Sequence, residues 1–196
     1  MEYIKSVFKK KEKLTYFTIY TLIMFLMCFV VFSYFIIRGK SLIWREDGLF
    51  QHYISLRYYR NYIIEILNNI FIKHEFLIPM WDFTIGQGSD IITTLHYYVI
   101  GDPLTLLSVF FKPKNIEICY VVLIILRLYL SGIAFSIFCF HFNINKKGVL
   151  VGAISYIFCG YAIYASIKHP YFINPMIYLP LVLLGAEKIL KNQKPY

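Results

Sequence analysis

Apolar residues in this chain come in long blocks, not at intervals of two or of three to four. The first block runs over residues 14–37. A helix needs roughly 20 apolar residues to cross a bilayer, and this block supplies them. Three further blocks, at about 116–140, 148–167 and 171–190, predict three more spans. The last is interrupted by Pro175 and Pro180. Asn174-Pro175 suits a helix cap and start, with Asn174 as the cap, since proline fits the first helical position. Pro180 predicts a kink of the kind neighbouring helices tolerate inside a membrane.

Between the first two spans lies a long segment, 38–115, rich in Tyr, Phe, Ile and Leu. Within it Leu49, Tyr53, Leu56, Ile63, Leu67 and Ile70 recur near helical spacing. The polar residues His52, Ser55, Arg57, Arg60, Asn61, Glu65, Asn68 and Asn69 fall largely elsewhere on the same projection. This pattern predicts an amphipathic helix over 49–72, lying in the interface, with Tyr58, Tyr59 and Tyr62 at headgroup depth. A turn-rich stretch follows, with Gly86 and Gly88 allowing tight backbone geometry. The run 104–111 is too short to span. The expected fold is therefore an all-α integral membrane protein, with about four transmembrane helices and a large outer loop carrying amphipathic interfacial helices.

Composition supports this class. The 196 residues are 59% hydrophobic and 16% charged, against about 25% charged in soluble domains. The mean hydropathy is +0.60. The first block is too long for a signal-peptide core and no small-residue cleavage site follows, so it reads as an uncleaved signal anchor. Lysine bias sets the orientation. Lys5, Lys9, Lys10, Lys11 and Lys13 place the tail 1–13 in the cytoplasm. Lys146-Lys147 and Lys188 to Lys191 place two further connections on the same side. The segment 38–115 is then extracytoplasmic. The net charge of +9 is explained by orientation and by attraction to anionic lipid, and no nucleic-acid motif accompanies it. Cys28, Cys119, Cys139 and Cys159 lie in or beside the apolar blocks without metal spacing, and read as packing residues. Gly148 and Gly152 match a small-residue motif for close helix contact.

The candidate chemistry centres on Glu46-Asp47, about ten residues beyond the first span. A carboxylate at the mouth of a membrane cavity can take a proton from a hydroxyl or bind a metal ion. Asp47 also precedes a predicted helix, where an aspartate makes a good N-cap. Glu46 has a plain reading as a solvated carboxylate or a partner of Arg45. Arg127 falls near the middle of the second span, where a cation costs at least ~2.5 kcal/mol and needs a partner. It either holds an anionic group such as a lipid phosphate or makes a structural pair. His169, beside Pro170, lies in the short outer connection and can meet Asp47. His96, Asp82 and Asp90 can line an acceptor groove or satisfy turns.

Several ordered motifs resemble one family. They are Gly39-Lys40-Ser41-Leu42-Ile43-Trp44, Asp47-Gly48 with Gln51, Trp81-Asp82-Phe83, Gly86-Gln87-Gly88 and Asp102-Pro103-Leu104. His169-Pro170 and the run from Pro180 to Glu187 continue the series. Together they resemble the start of the YfhO family of bacterial membrane proteins. The resemblance implies a GT-C-like N-terminal module, related to glycosyltransferases that use polyprenyl-phosphate sugars outside the cytoplasmic membrane. It implies an envelope polymer of teichoic-acid type as acceptor. Asp47 takes the position of the essential acidic residue, which makes it the expected base. Glu46, Gln51, His96, Arg127 and His169 are the expected substrate-binding residues. A divalent metal, Mg or Mn, on Asp47 or Glu46 is a further expectation.

Family members are longer, so the chain is expected to be the N-terminal part of a larger protein, closing at 191–196. The expected location is the bacterial cytoplasmic membrane, multi-pass, with membrane lipid as a partner. A non-catalytic transporter or scaffold for envelope lipids or polymers stands as the alternative, with an inactive fragment as a third.

Overall fold

In the computed structural model the structure describes residues 2–191, with side chains from residue 14 onward. The lysines of the tail 1–13 and the segment 192–196 lie outside the described side chains and residues respectively. The chain is all-α in character, with two short strands. In order, the elements are α1 (Glu2–Val31), α2 (Ser33–Ile37), a π-helical turn at Gly48–Tyr53, α3 (Ile54–Phe71), β1 (Trp81–Asp82), β2 (Ser89–Asp90) and α4 (Ile91–Leu95). A second π-helical turn at His96–Ile100 and a 3₁₀ segment at Pro103–Phe110 lead to α5 (Ile116–His141). Then come α6 (Lys146–Ile157), α7 (Gly160–Lys168) and α8 (Asn174–Leu190).

Three stretches are long and apolar enough to cross a membrane: Leu14–Val31, Pro113–His141 and Pro170–Leu190. The pair α6 and α7 makes a fourth if counted as one span, bent by 41° at its break. The sequence pattern predicts one continuous span there. The bend falls where Phe158 and Cys159 interrupt the helix before Gly160.

The chain forms two compact units. The first comprises residues 1–41, 125–166 and 172–196. Its core is helix on helix. A side chain on Gly132 would place its Cβ 2.1 Å from the Tyr20 hydroxyl, so the glycine lets α1 and α5 approach closely. Tyr20 uses the approach to donate to the Tyr129 carbonyl at 2.9 Å. Tyr16 and Ser136 join hydroxyls at 2.8 Å.

The Gly148/Gly152 expectation holds only in half. Gly152 faces the Phe135 ring, 3.0 Å from where a Cβ would sit. Gly148 belongs to the N-terminus of its own helix, where its N–H donates to the Asn145 side chain at 2.8 Å.

Proline gives α8 its particular local chemistry. Pro180 sits inside the helix and has no N–H to offer the carbonyl four residues back. That carbonyl is Met176's, and the Tyr156 hydroxyl donates to it at 3.1 Å. A neighbouring helix thus replaces the missing backbone bond, as a water-free environment requires. The start of α8 differs from the expected cap. Pro175 lies in the first turn, but Ile173 holds the cap position and the Asn174 side chain is engaged elsewhere.

The second unit comprises Leu42–Ile124 and Ile167–Tyr171. Here α3 packs against the 3₁₀ segment and against both π-helical turns. Its buried line runs through Ser55, Leu56, Tyr59, Tyr62 and Asn69, continuing from His52 in the turn before it. The sequence pattern assigns His52, Ser55 and Asn69 to the polar face and Leu49 to the apolar one. The structure reverses these four, leaving Leu49 exposed. For Asn69 the reason is that neighbouring groups supply hydrogen bonds. Asn69 donates to the Leu77 carbonyl at 3.4 Å and accepts from Lys73 at 3.0 Å. Such partners remove most of the cost of burying an amide.

The turn-rich stretch forms a small antiparallel hairpin, with Trp81 opposite Asp90 and Asp82 opposite Ser89. Gly86 and Gly88 take φ of 62° and 106°, values that favour glycine.

Candidate functional site

All the groups of the site belong to the second unit. Asp47 lies at the start of the π-helical turn. Its backbone is already helical, with φ −59° and ψ −34°, and its side chain caps no N–H. The N-cap reading of Asp47 is therefore corrected. A cap residue holds extended backbone geometry, and this one does not. Its Oδ1 instead accepts from Gln51 Nε2 at 2.8 Å, and Gln51 Oε1 accepts from the Tyr98 hydroxyl at 3.0 Å. This chain of bonds fixes one edge of the carboxylate and leaves the other edge available.

The other edge faces a histidine. Asp47 Oδ2 is 3.6 Å from His169 Nε2, an ion-pair separation and longer than a hydrogen bond. The second nitrogen of His169, Nδ1, lies 3.0 Å from His52 Nε2. Two neutral tautomer arrangements satisfy that imidazole pair, with the shared proton on either nitrogen. His52 is 1% exposed and packs at a tilt against the rings of Tyr98 and Tyr171. The Asp47 and His169 side chains stay open, at 43% and 26% exposed. The arrangement therefore grades from a buried imidazole to an accessible carboxylate.

Gly48 and Trp44 shape one wall. Gly48 is buried, and a Cβ there would stand 3.0 Å from the Trp44 Cβ. The Trp44 ring carries the Lys168 ammonium 3.1 Å from its centroid. Such stacking places a cation next to His169 in sequence.

The remaining predicted residues make other contacts. Glu46 is exposed, and its carbonyl accepts the N–H groups of Leu49 and Phe50. His96 is exposed, with Nδ1 2.6 Å from the Thr93 carbonyl. Arg127 belongs to the first unit. It is 2% exposed and donates from Nε to Asn174 Oδ1 at 3.1 Å.

Asp82 and Asp90 serve the hairpin. Asp82 accepts from the Tyr58 hydroxyl at 2.5 Å and from the Thr84 N–H at 2.7 Å. The Tyr58 hydroxyl, then the Thr84 groups, hold its carboxyl below the ordinary range. Burial first, and then the hydrogen bond to Asp82, push the Tyr58 hydroxyl up. Asp90 caps α4 through the Thr93 N–H at 2.7 Å, which lowers its carboxyl likewise.

Three participants escaped the sequence pattern. His52 falls on the polar face of the sequence pattern, and the pattern does not mark Tyr98 or Lys168. A second polar group, in the first unit, was also not foreseen: Glu187 contacts both His141 and Lys191. Among the described residues, no three His, Cys, Asp or Glu side chains gather as a metal-holding group. Asp47 has His169 as its nearest potential co-ligand, and no step below is routed through a metal.

The family model of the bacterial membrane protein YfhO matches residues 17–196. Comparison with curated proteins gives no match, and comparison with solved structures gives none. With a match over nearly the whole chain and several helices apolar enough to cross a membrane, the chain belongs to the YfhO family of bacterial membrane proteins.

Proposed function

We propose that this protein takes part in sugar transfer from a polyprenyl-phosphate carrier to an envelope polymer on the outer face of the membrane, with Asp47 as general base. The observation that supports this most is the half-open Asp47 carboxylate, pinned at Oδ1 and facing His169 at Oδ2. An acceptor hydroxyl beside Oδ2 gives its proton to the carboxylate as its oxygen bonds the anomeric carbon. The bond from that carbon to the phosphate oxygen breaks, and polyprenyl phosphate leaves with the electron pair.

A base held in place contributes roughly 10²–10⁴-fold to such a step. His169 and His52 provide an onward route for the proton, since imidazole exchanges protons near neutral pH. Lys168, held on Trp44, supplies a cation for the leaving phosphate. The acceptor is of teichoic-acid type in this reading.

One observation favours a second reading, movement of an envelope lipid without chemistry. The bent pair α6 and α7 has the broken form used at transporter binding sites. Deleting the gene in its own host separates the two. Loss of a sugar from purified envelope polymers, with polyprenyl-phosphate sugar accumulating, supports transfer. Unchanged polymer sugar with an altered distribution of lipid between leaflets overturns transfer in favour of movement.

A further inference from the structure

The first unit contains a cleft with no part in the chemistry above. It lies where α1 meets α6 and has a volume of about 230 Å³. Thr15, Tyr16 and Ile19 line it from α1, and Lys146, Lys147 and Leu150 from α6. The polar and apolar residues are segregated. The two lysines open α6, and Leu150 follows one turn later on the same helix. Thr15 and Tyr16 begin the apolar window of α1, and Ile19 follows one turn later. One turn is about 5.4 Å of helix.

Both lysines are exposed, and Ile19 is too. Inside the cleft the Tyr16 hydroxyl is bonded to Ser136, so the ring presents its apolar face. A ligand that fits needs an anionic group at the lysine end and a hydrocarbon tail along Ile19 and Leu150.

We propose that this cleft binds one anionic phospholipid. Its phosphate and headgroup lie against Lys146 and Lys147, and an acyl chain follows Ile19 and Leu150 into the membrane. Charge complementarity selects the occupant, since a zwitterionic lipid offers the lysines no net charge. The site stands at the end of α1 where five lysines precede the apolar window, the end that lysine bias assigns to the cytoplasmic leaflet. Anionic lipid in that leaflet attracts such lysines.

The test uses the full chain, purified in detergent and titrated with dioleoyl phosphatidylglycerol or dioleoyl phosphatidylcholine, with bound lipid counted by native mass spectrometry. One phosphatidylglycerol is expected to bind in preference to phosphatidylcholine. The double variant K146Q/K147Q is expected to lose roughly 25-fold in affinity, about fivefold per lysine. These lysines are exposed, so the variant keeps its fold, which circular dichroism checks. Leu150→Trp fills the apolar end and is expected to abolish binding of the single lipid while both lysines remain. Equal binding of the two lipids overturns the proposal. So does undiminished phosphatidylglycerol binding by K146Q/K147Q, or by Leu150→Trp.

Discussion

Arg127 and Asp47 are both charged residues in an apolar chain, and the two units treat them in opposite ways. Arg127 is buried at 2% exposure and bonded to Asn174 inside the first unit. Asp47 is 43% exposed in the second unit, held on one oxygen and open on the other. A buried cation with an internal partner stabilises its helices, because an unpaired one would be costly there. A half-open carboxylate has capacity left for a substrate. Charge alone therefore does not identify a functional residue in a membrane protein. What separates the two is how much of each group its own fold has already used.

The largest effect that separates them is expected on activity. Asp47→Asn keeps the size and the bond from Gln51, and is expected to lower sugar transfer by roughly 10²–10⁴-fold. Membrane levels, read by immunoblot, are expected to stay normal. Arg127→Leu is expected to do the reverse. It removes a charged hydrogen bond worth about 1.5–3 kcal/mol and lowers the unfolding midpoint in detergent. Transfer per molecule that remains folded is expected to hold.

Gly132→Ala forces Tyr20 from its bond to Tyr129, because the new Cβ would stand 2.1 Å from the hydroxyl. Overpacking of this kind costs about 1–3 kcal/mol. Thermal unfolding checks the size, and a milder loss is expected in a Tyr20→Phe background.

Tyr156→Phe leaves the Met176 carbonyl without its donor and is expected to cost about 1 kcal/mol. In a Pro180→Ala background the backbone N–H returns to that carbonyl, so most of the cost is expected to vanish. A double-mutant cycle on unfolding midpoints reads the coupling.

The smallest effect is one of pH on the hairpin. Asp82 has its carboxyl lowered, chiefly by the Tyr58 hydroxyl. A depressed folded value means that its stabilising contribution is complete above the ordinary carboxylate value of about 3.9. It fades as pH falls towards the lower folded value. Amide protection factors in residues 81–90 are expected to fall over that acid window, and Asp82→Asn is expected to remove the dependence.

Much of the fold was legible because blocks of apolar residues carry a direct physical meaning in a bilayer. The helices at 14–31 and 116–141 follow from block length alone. The break in the third block was not legible, since Phe158-Cys159 is apolar and carries no proline. Asp47 and His169 stand out as polar residues beside apolar spans, and Gln51 follows Asp47 at helical spacing. His52 did not stand out. On a helical projection it sits with polar residues, and only its tertiary neighbours, His169, Tyr98 and Tyr171, explain its burial. Arg127 was legible as a residue in need of a partner. Its partner was hidden, because Asn174 before Pro175 looks like a helix cap. The cap reading of Asp47 failed for a related reason: a capping sequence does not fix the φ and ψ that a cap requires.

The central claim is that Asp47 acts on a substrate, and one measurement tests it most directly. Asp47→Asn is placed at the native locus, and sugar on purified envelope polymers is measured per unit of protein in the membrane. The account predicts a fall of at least about 100-fold, at normal protein level. Unchanged sugar at normal level would contradict it and leave Asp47 a structural partner of Gln51 and His169.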